Sequence, residues 1–488
     1  MADQERVATA PRPRGRDLTR GPITRTLLLF ALPTLASNAL QSLNGSINAI
    51  WVGKFLGEQA LAATSNANLV MFLMFSAVFG FGMAATILIG QAWGRGDVDA
   101  ARRALGTTFG LFSLASVVVA LAGWVGADPL LRLLATPPEA HALALAYLRV
   151  IFVAMPASFL LVLLTMGLRG SGDAITPLVF MGLSSVLDMA LNPVLILGLG
   201  PAPRLGIAGA ATATALANYL ALAGLVAYIY LRDLPLRLRG REFGYLRPDA
   251  ALLRPILAKG LPMGLQMIVF SAAGLALIGL VNRQGVEVTA AYGVSQQLWT
   301  YVQMPAMAVG AAVSAMAAQN IGAGRWDRIG PITRAGMAVN FLLTGGLVVL
   351  LLAVDRQALG LFLPAGSPAL AIARHIQLLA SWSFIPFGMT LILSATVRAN
   401  GAVYAPLVTL AIALFPVRLG FATAAQRWLG SDALWISFSV GSLVSLALMG
   451  LFYRYGRWRG GAAMLEPIEA EEQAAAASEP AGRLQPTG

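Results

Sequence analysis

A chain of 488 residues that is 57% hydrophobic and only 11% charged carries more apolar surface than a soluble core can bury, so its composition places it in a lipid bilayer. The net charge of +12 does not indicate nucleic-acid binding, because the basic residues are scattered over short connections instead of clustering on one face. The absence of cysteine excludes disulfides, thiolate nucleophiles and Cys-ligated metals.

The chain begins with a basic arm, residues 1–26, that lacks the small-residue cleavage site of a signal peptide. Apolar runs of about 20 residues then predict six transmembrane helices within residues 27–231, which we call the N-lobe. A charged linker, residues 232–255, precedes six further predicted helices in residues 256–455, the C-lobe. Residues 456–488 are predicted to form a disordered cytoplasmic tail.

The first predicted helix carries a polar stripe and a proline. Asn38, Gln41 and Asn48 recur at +3 and +10 and lie near one face, with Asn44 beside them. Amides in lipid are costly unless paired, so this stripe either borders a substrate cavity or bonds to a neighbouring helix. Pro33 predicts a kink that serves either as a hinge or as a static bend.

Asp188 is the clearest carboxylate in the middle of a predicted span. A charged Asp there costs roughly 2.5 to 3.5 kcal/mol, so such residues usually face a cavity and serve function. Asn192 lies one turn further along, where its amide can bind a cation or position the carboxylate. We therefore predict an ion-coupling site for H⁺ or Na⁺ at Asp188, Asn192, Asn48 and Thr214. The alternative is a buried acid that only stabilises helix packing.

The second half contains no comparable acid, since Val417 and Arg418 stand where Asp188 should recur. Ion coupling is therefore expected in one lobe only. Tyr292 and Gln296 are candidates for the substrate path, with core packing or an interfacial aromatic belt as the simpler interpretation.

Short phrases recur about 229 residues apart and indicate a duplicated unit. Arg169 recurs as Arg398 at a spacing of 229, and Gln91 recurs as Gln319 at a spacing of 228. Six helices per copy is an even number, so the copies run parallel around a central cleft that can open to each side in turn. Most of the 34 Lys and Arg residues fall in alternate connections, which predicts cytoplasmic termini in a multi-pass protein of the inner membrane.

The order and spacing of several phrases resemble the multidrug and toxic compound extrusion (MATE) transporters over about residues 20–455. The phrases include Gly90-Gln91-Ala92-Trp93-Gly94, Asn192-Pro193-Val194-Leu195-Ile196 and Ala318-Gln319-Asn320-Ile321-Gly322. Within that family, the chain is most similar to the prokaryotic branch related to the DNA-damage-inducible exporters. The resemblance implies an all-α fold of twelve helices in two six-helix lobes. It also implies export of amphipathic or cationic organic compounds in exchange for Na⁺ or H⁺.

The chain departs from the family's pattern at two places. Relatives commonly carry an Asp at the position of Asn48, and in the fifth helix an Asn followed four residues later by an Asp. Here the order is reversed, with Asp188 before Asn192, so an ion site copied from relatives would be displaced by about one turn. The loss of one carboxylate slightly favours H⁺ coupling over Na⁺ coupling.

We therefore predict a monomeric antiporter, with no cofactor and no nucleic-acid partner, that exports small organic substrates. A membrane enzyme is the rival from another class, and the sequence shows neither a reactive cluster nor a nucleotide-binding motif. His141 and His375 are interpreted as interfacial side chains. A flippase for a lipid-linked saccharide is the closer alternative. It would favour a cavity lined by several Arg or Lys residues and two further helices.

Overall fold

The computed structural model describes residues 17–133, 136, 138–363 and 367–460, and within these ranges every regular element is a helix. Most of the predicted arm, residues 1–16, and most of the predicted tail, residues 461–488, lie outside the described residues. In the described part, twelve helices are long and apolar enough to cross a membrane, which confirms the predicted number.

The six spans of the N-lobe are single helices. Their bounds are α1 (Ile23–Leu56), α2 (Glu58–Arg95), α3 (Val98–Leu133), α4 (Pro138–Gly170), α5 (Ile175–Leu197) and α6 (Ile207–Leu231). The turns after α2 and α4 contain Gly96 and Gly172, whose φ values of 82° and 90° lie in the left-handed region that favours glycine.

The C-lobe is less regular, because two of its spans are built from several short helices. It contains α7 (Ala250–Asn282), α8 (Val286–Gly322), α9 (Ile329–Ala353) and a short α10 (Asp355–Gly360). The tenth span joins α11 (Pro368–Ala380) to α12 (Phe384–Arg398) through a 3₁₀ turn. The eleventh joins α13 (Tyr404–Ile412) to α14 (Gly420–Ala424) through a π-helix, Ala413–Leu419. A short α15 (Gln426–Leu429) then leads to the last span, α16 (Asp432–Tyr455).

Each lobe has an apolar core of its own near one end of the bundle, which we call the distal end. In the N-lobe this core runs from Val52 at the end of α1 to Leu148 near the start of α4. In the C-lobe it runs from Leu277 near the end of α7 to Trp299 in the first half of α8. All described members of each core belong to one lobe, so the lobes pack separately at this end.

At the opposite end, the basic end, which carries the connections around Arg95 and Arg325, two cores are shared between the lobes. One core contains Leu88 of α2 together with Val397 of α12, and the other contains Phe30 of α1 together with Met316 of α8. Because lipid tails are as apolar as these side chains, the junction is stabilised by close van der Waals packing between the helices. The lobes are therefore joined at the basic end, and the central cleft between them opens at the distal end.

Two repeated glutamines fasten the lobes to each other at the basic end. Gln91 of α2 donates from Nε2 to the backbone carbonyl of Ala399 in the C-lobe at 2.7 Å. Its counterpart Gln319 of α8 donates from Nε2 to the backbone carbonyl of Gly170 in the N-lobe at 3.0 Å. Since each lobe supplies one donor and one acceptor, the two hydrogen bonds form a reciprocal pair.

Two repeated glycines allow the same helices to approach closely. A Cβ atom added at Gly94 would overlap the backbone carbonyl of Gln319, and one added at Gly322 would overlap the backbone carbonyl of Gln91. Backbone atoms cannot move aside as a flexible side chain can, so a larger residue at either glycine must push the helices apart. The phrases that reveal the repeat in the sequence thus form the interface between its two copies.

The linker between the lobes folds back onto the N-lobe. Its 3₁₀ helix, Gly240–Leu246, packs against the first half of α3, where Tyr245 and Leu246 lie close to Gly106 and Gly110. Tyr245 donates from its hydroxyl to Asp99 at 2.8 Å, which raises the pKa of Tyr245, and Arg102 pairs with Glu242 at 2.7 Å. The predicted connection is therefore an ordered segment that is anchored to one lobe.

Replacing Arg102 with alanine should loosen this segment. Arg102 also donates from Nε to the carbonyl of Pro235 at 2.7 Å, so the substitution removes two anchors at once. We expect limited trypsin digestion in detergent to cut the linker at Arg241 about five- to tenfold faster than in the wild type. Arg283→Ala, at an exposed position after α7, serves as the control. Equal cleavage rates in the two variants would show that other contacts hold the linker.

Candidate functional site

Asp188 lies in α5, is only 3% exposed, and accepts hydrogen bonds from three helices. Asn44 of α1 donates from Nδ2 to Asp188 Oδ2 at 2.8 Å. Thr214 of α6 donates from Oγ1 to Asp188 Oδ1 at 3.0 Å, and Asn192 of α5 itself donates from Nδ2 to the same oxygen at 3.1 Å. Three donors around one carboxylate stabilise its ionised form against the cost of burial.

The spacing of α5 accounts for part of this arrangement. Asn192 is four residues after Asp188 and therefore stands one turn above it on the same face. Its Nδ2 also lies 2.8 Å from the backbone carbonyl of Asp188, which fixes the orientation of the amide. Pro193 follows directly and is accommodated within the helix without ending it.

Two amide oxygens beside the carboxylate lack a hydrogen-bond donor. Asn44 Oδ1 and Asn192 Oδ1 are both buried and have no partner among the described residues. An unpaired buried acceptor costs about 1 to 3 kcal/mol, so such groups call for a ligand. Together with Asp188 and the Thr214 hydroxyl, they supply the oxygen ligands that hard cations such as Na⁺ prefer.

The rest of the predicted polar stripe does not bond to Asp188. Gln41 is exposed, and its Nε2 lies 3.6 Å from the sulfur of Met181. Asn38 and Asn48 are half-buried, and Asn48 Oδ1 is another acceptor without a partner in the described structure. Asn44 alone in the stripe contacts the carboxylate.

Helix α1 continues unbroken through Pro33. Proline has no backbone N–H, so the carbonyl of Leu29 loses its normal helical partner at this point. The adjacent Phe30 and Ala31 are buried in a core that both lobes share. The place of Pro33 at the joined end suits a hinge, and that role stays a prediction.

The C-lobe encloses a cavity of about 310 Å³ between α7, α8, α12, the π-helix and α16. The predicted residues Tyr292 and Gln296 both line it, and Trp299 and Phe438 form much of its aromatic wall. Tyr292 is edge-on to Trp299, with ring centroids 6.1 Å apart. The volume and the apolar lining are typical of pockets that bind small organic molecules.

A second cavity of about 220 Å³ adjoins the first and lies between the lobes. Phe79 and Met83 of α2 form its N-lobe wall, and Met263 and Met267 of α7 face them. Methionine side chains are flexible and polarizable, so they adapt to ligands of different shape. Residues shared by the two linings, such as Phe270, make the cavities neighbouring parts of one path.

Sequence reasoning missed two arginines in this path. Arg398, noted in the sequence only as the repeat of Arg169, lines the interlobe cavity and donates to Gln266 Oε1 at 2.9 Å. Arg418 lines the C-lobe cavity. The signal was visible, because Arg418 stands beside the position where Asp188 should recur, but the sequence alone did not show which way its side chain points.

No group of three or more His, Cys, Asp or Glu residues that can hold a metal occurs in the described ranges. The two histidines each contact a single aspartate instead. His141 lies 2.7 Å from Asp128, and His375 lies 2.9 Å from Asp432. Among the predicted residues, Asp188 with its neighbours remains the candidate for binding a cation.

Comparison with known proteins adds the family context. The sequence model of the MatE family matches residues 33–194 and again residues 262–423, so both matches are offset by the 229 residues of the repeat. The chain is 37% identical over 435 residues to the probable multidrug resistance protein YoeA of Bacillus subtilis, covering 89% of this chain and 94% of that one. It is 31% identical over 445 residues to the probable multidrug resistance protein YpnP of the same organism, covering 91% and 97%.

Among solved structures, the fold is similar to one described as the outward-facing conformation of a multidrug resistance MATE family transporter of the MOP superfamily. The TM-score is 0.85 at 21% identity, and the match covers 92% of this chain and 99% of the other. At this identity the likeness shows the fold, with its two six-helix lobes around a cleft.

Proposed function

Because the chain belongs to the MATE family of transporters, we propose that it exports amphipathic or cationic organic compounds in exchange for H⁺ or Na⁺. The observation that carries this proposal is the buried Asp188 with three donors and two unpaired amide oxygens around it. A single carboxylate accommodates one positive charge, so one monovalent cation would enter for each transport step. No cofactor is needed for such an exchange.

The coupling cation would act by changing the balance between two conformations. A ligand shifts such a balance only if it binds one conformation more tightly than the other. Asp188 draws its partners from α1, α5 and α6, so binding a cation there would change how these helices pack. A bend of α1 near Pro33 would carry that change to the shared core at the basic end.

The proposed setting is the cytoplasmic membrane, with the basic end facing the cytoplasm. The excess of Lys and Arg in the connections at that end supports this orientation through the positive-inside rule. The cleft described above would then open away from the cytoplasm, in the position from which cargo is released. We propose that the monomer is the working unit, since both lobes and the cleft are supplied by one chain.

Transport by the purified protein in proteoliposomes tests this proposal and separates the two ions. We expect export of rhodamine 6G, a cationic aromatic dye, only when a H⁺ or Na⁺ gradient is imposed in the opposite direction. If Na⁺ is the coupling ion, Thr214→Val should raise the Na⁺ concentration for half-maximal export about tenfold, because one oxygen ligand is lost. If H⁺ is the coupling ion, the wild type should respond to a pH gradient alone. Equal dye movement with and without both gradients would refute ion-coupled export.

A further inference from the structure

The eleventh span is the C-lobe counterpart of α5, and it differs from α5 in charge and in helix type. α5 begins at Ile175 and α13 begins at Tyr404, which keeps the offset of 229 residues. Asp188 therefore corresponds to Val417, but the π-helix adds one residue to the turn. The residue that points into the lobe is Arg418, so a basic group faces the C-lobe cavity where an acidic group faces the N-lobe site.

Arg418 has a ring contact but no acidic partner. Its guanidinium carbon lies 3.4 Å from the ring centroid of Phe438, and its Nε is buried without a hydrogen bond. None of the ion pairs found in the described residues involves Arg418. A cation on an aromatic face gains about 0.5 to 2 kcal/mol, which does not satisfy the five N–H donors of a guanidinium. These donors are therefore available to an anion.

All charged side chains that line the two neighbouring cavities are basic. Arg398 and Arg418 are the charged side chains in the linings of the two neighbouring cavities, and no described Asp or Glu lines either of them. Aromatic rings and methionines make up most of the remaining surface. Electrostatic attraction in this setting favours an anionic group attached to a flat apolar body.

We propose that the C-lobe cavity binds the anionic group of an aromatic compound, and that Arg418 holds this group by charge-assisted hydrogen bonds. This inference rests on the proposed export function and adds a substrate class to it, namely aromatic compounds that carry an anionic group, zwitterions included. The cation site in the N-lobe and the anion site in the C-lobe then bind ligands of opposite sign. Since they draw on separate helices, the two ligands do not compete for the same side chains.

Two xanthene dyes with similar rings and opposite charge test the proposal. Carboxyfluorescein carries anionic groups and rhodamine 6G carries a positive charge, and fluorescence polarisation measures their binding to the purified full-length chain. Arg418→Gln should weaken carboxyfluorescein binding about tenfold or more, and it should not weaken rhodamine 6G binding, because it removes a positive charge. Arg418→Lys should restore most of the affinity, because it restores the charge. Arg427→Gln, at an exposed arginine in α15, should bind like the wild type.

A second binding experiment, in lipid nanodiscs, distinguishes a dissolved anion from an anionic lipid head group. Both could bind Arg418 through the same negatively charged group. The measurement is repeated in nanodiscs of phosphatidylcholine alone and in nanodiscs that contain phosphatidylglycerol. We expect the affinity for carboxyfluorescein to be equal in both. A large loss of affinity with phosphatidylglycerol in the wild type, absent in Arg418→Gln, would identify a lipid as the occupant and overturn the proposal.

The binding and export results together show whether the anion site or the proposed export function is wrong. If the wild type exports rhodamine 6G under a gradient but does not bind carboxyfluorescein, the anion site is wrong and the export function stands. The same holds if carboxyfluorescein binds equally well to Arg418→Gln. If neither dye moves under any gradient while carboxyfluorescein binding still depends on Arg418, the export function fails and the anion site remains.

Discussion

Replacing Asp188 with asparagine is expected to reduce gradient-driven export to the background rate of empty vesicles. The substitution removes the one negative charge at the site while keeping its size, so neither H⁺ nor Na⁺ would retain a carboxylate to bind. Asn44 donates to Asp188 Oδ2 and has an unpaired Oδ1, so a flip of its amide would let it accept from the new side-chain nitrogen. The variant should therefore fold and still bind rhodamine 6G.

The measurement is export of rhodamine 6G from proteoliposomes under an imposed H⁺ or Na⁺ gradient, with dye binding measured in parallel. Asp432→Asn is the matched control, because Asp432 begins α16, contacts His375 and is partly exposed. It should keep wild-type export. If Asp188→Asn retained full gradient-driven export, coupling would have to occur elsewhere, and the carboxylate would only stabilise helix packing.

Replacing Gly322 with alanine should separate the lobes at the basic end. A Cβ at this position overlaps the backbone carbonyl of Gln91, so α2 and α8 must move apart and both reciprocal glutamine bonds weaken. Overpacking of this kind costs about 1 to 3 kcal/mol, which is enough to shift the conformational balance at least several-fold toward a state that is open at the basic end. Export should fall as a result.

The absence of cysteine makes this shift measurable. Ala318→Cys places a single thiol in the shared core, where the alanine is fully buried. Its reaction with a membrane-impermeant maleimide should be slow in an otherwise native chain and about fivefold or more faster in the Gly322→Ala background. Gly330→Ala, where an added Cβ meets no atom within 4 Å, should leave labelling unchanged. Slow labelling in both backgrounds would mean that the interface absorbs the extra methyl group without opening.

The twelve helices and the repeat could be predicted from the sequence, because the bilayer requires long apolar helices and leaves few other choices. The breaks within the C-lobe could not. The 3₁₀ turn at Ser381–Ser383 and the π-helix at Ala413–Leu419 occur inside apolar runs that read as continuous spans. Helix type at these points depends on packing against neighbouring helices, which periodicity in one segment does not contain.

The site was partly predictable for a similar reason. Asp188 and Asn192 are one turn apart, so their proximity follows from helix geometry. Asn44 and Thr214 come from other helices, and only the packed structure shows that they reach Asp188 and that Asn48 does not bond to it. The direction in which the Arg418 side chain points depends on the π-helix. It could not be predicted, because the π-helix itself could not be predicted.

The reciprocal glutamine bonds have a consequence for how easily the molecule changes shape. Their acceptors are the carbonyls of Gly170, the last residue of α4, and Ala399, the residue that follows α12, where a helix end leaves carbonyls without internal partners. When the lobes part, incoming water can take over both carbonyls and both amides, so each broken bond forfeits only about 0.5 to 1.5 kcal/mol. The two hydrogen bonds are therefore strong enough to stabilise the state that is closed at the basic end and weak enough to break in every transport cycle.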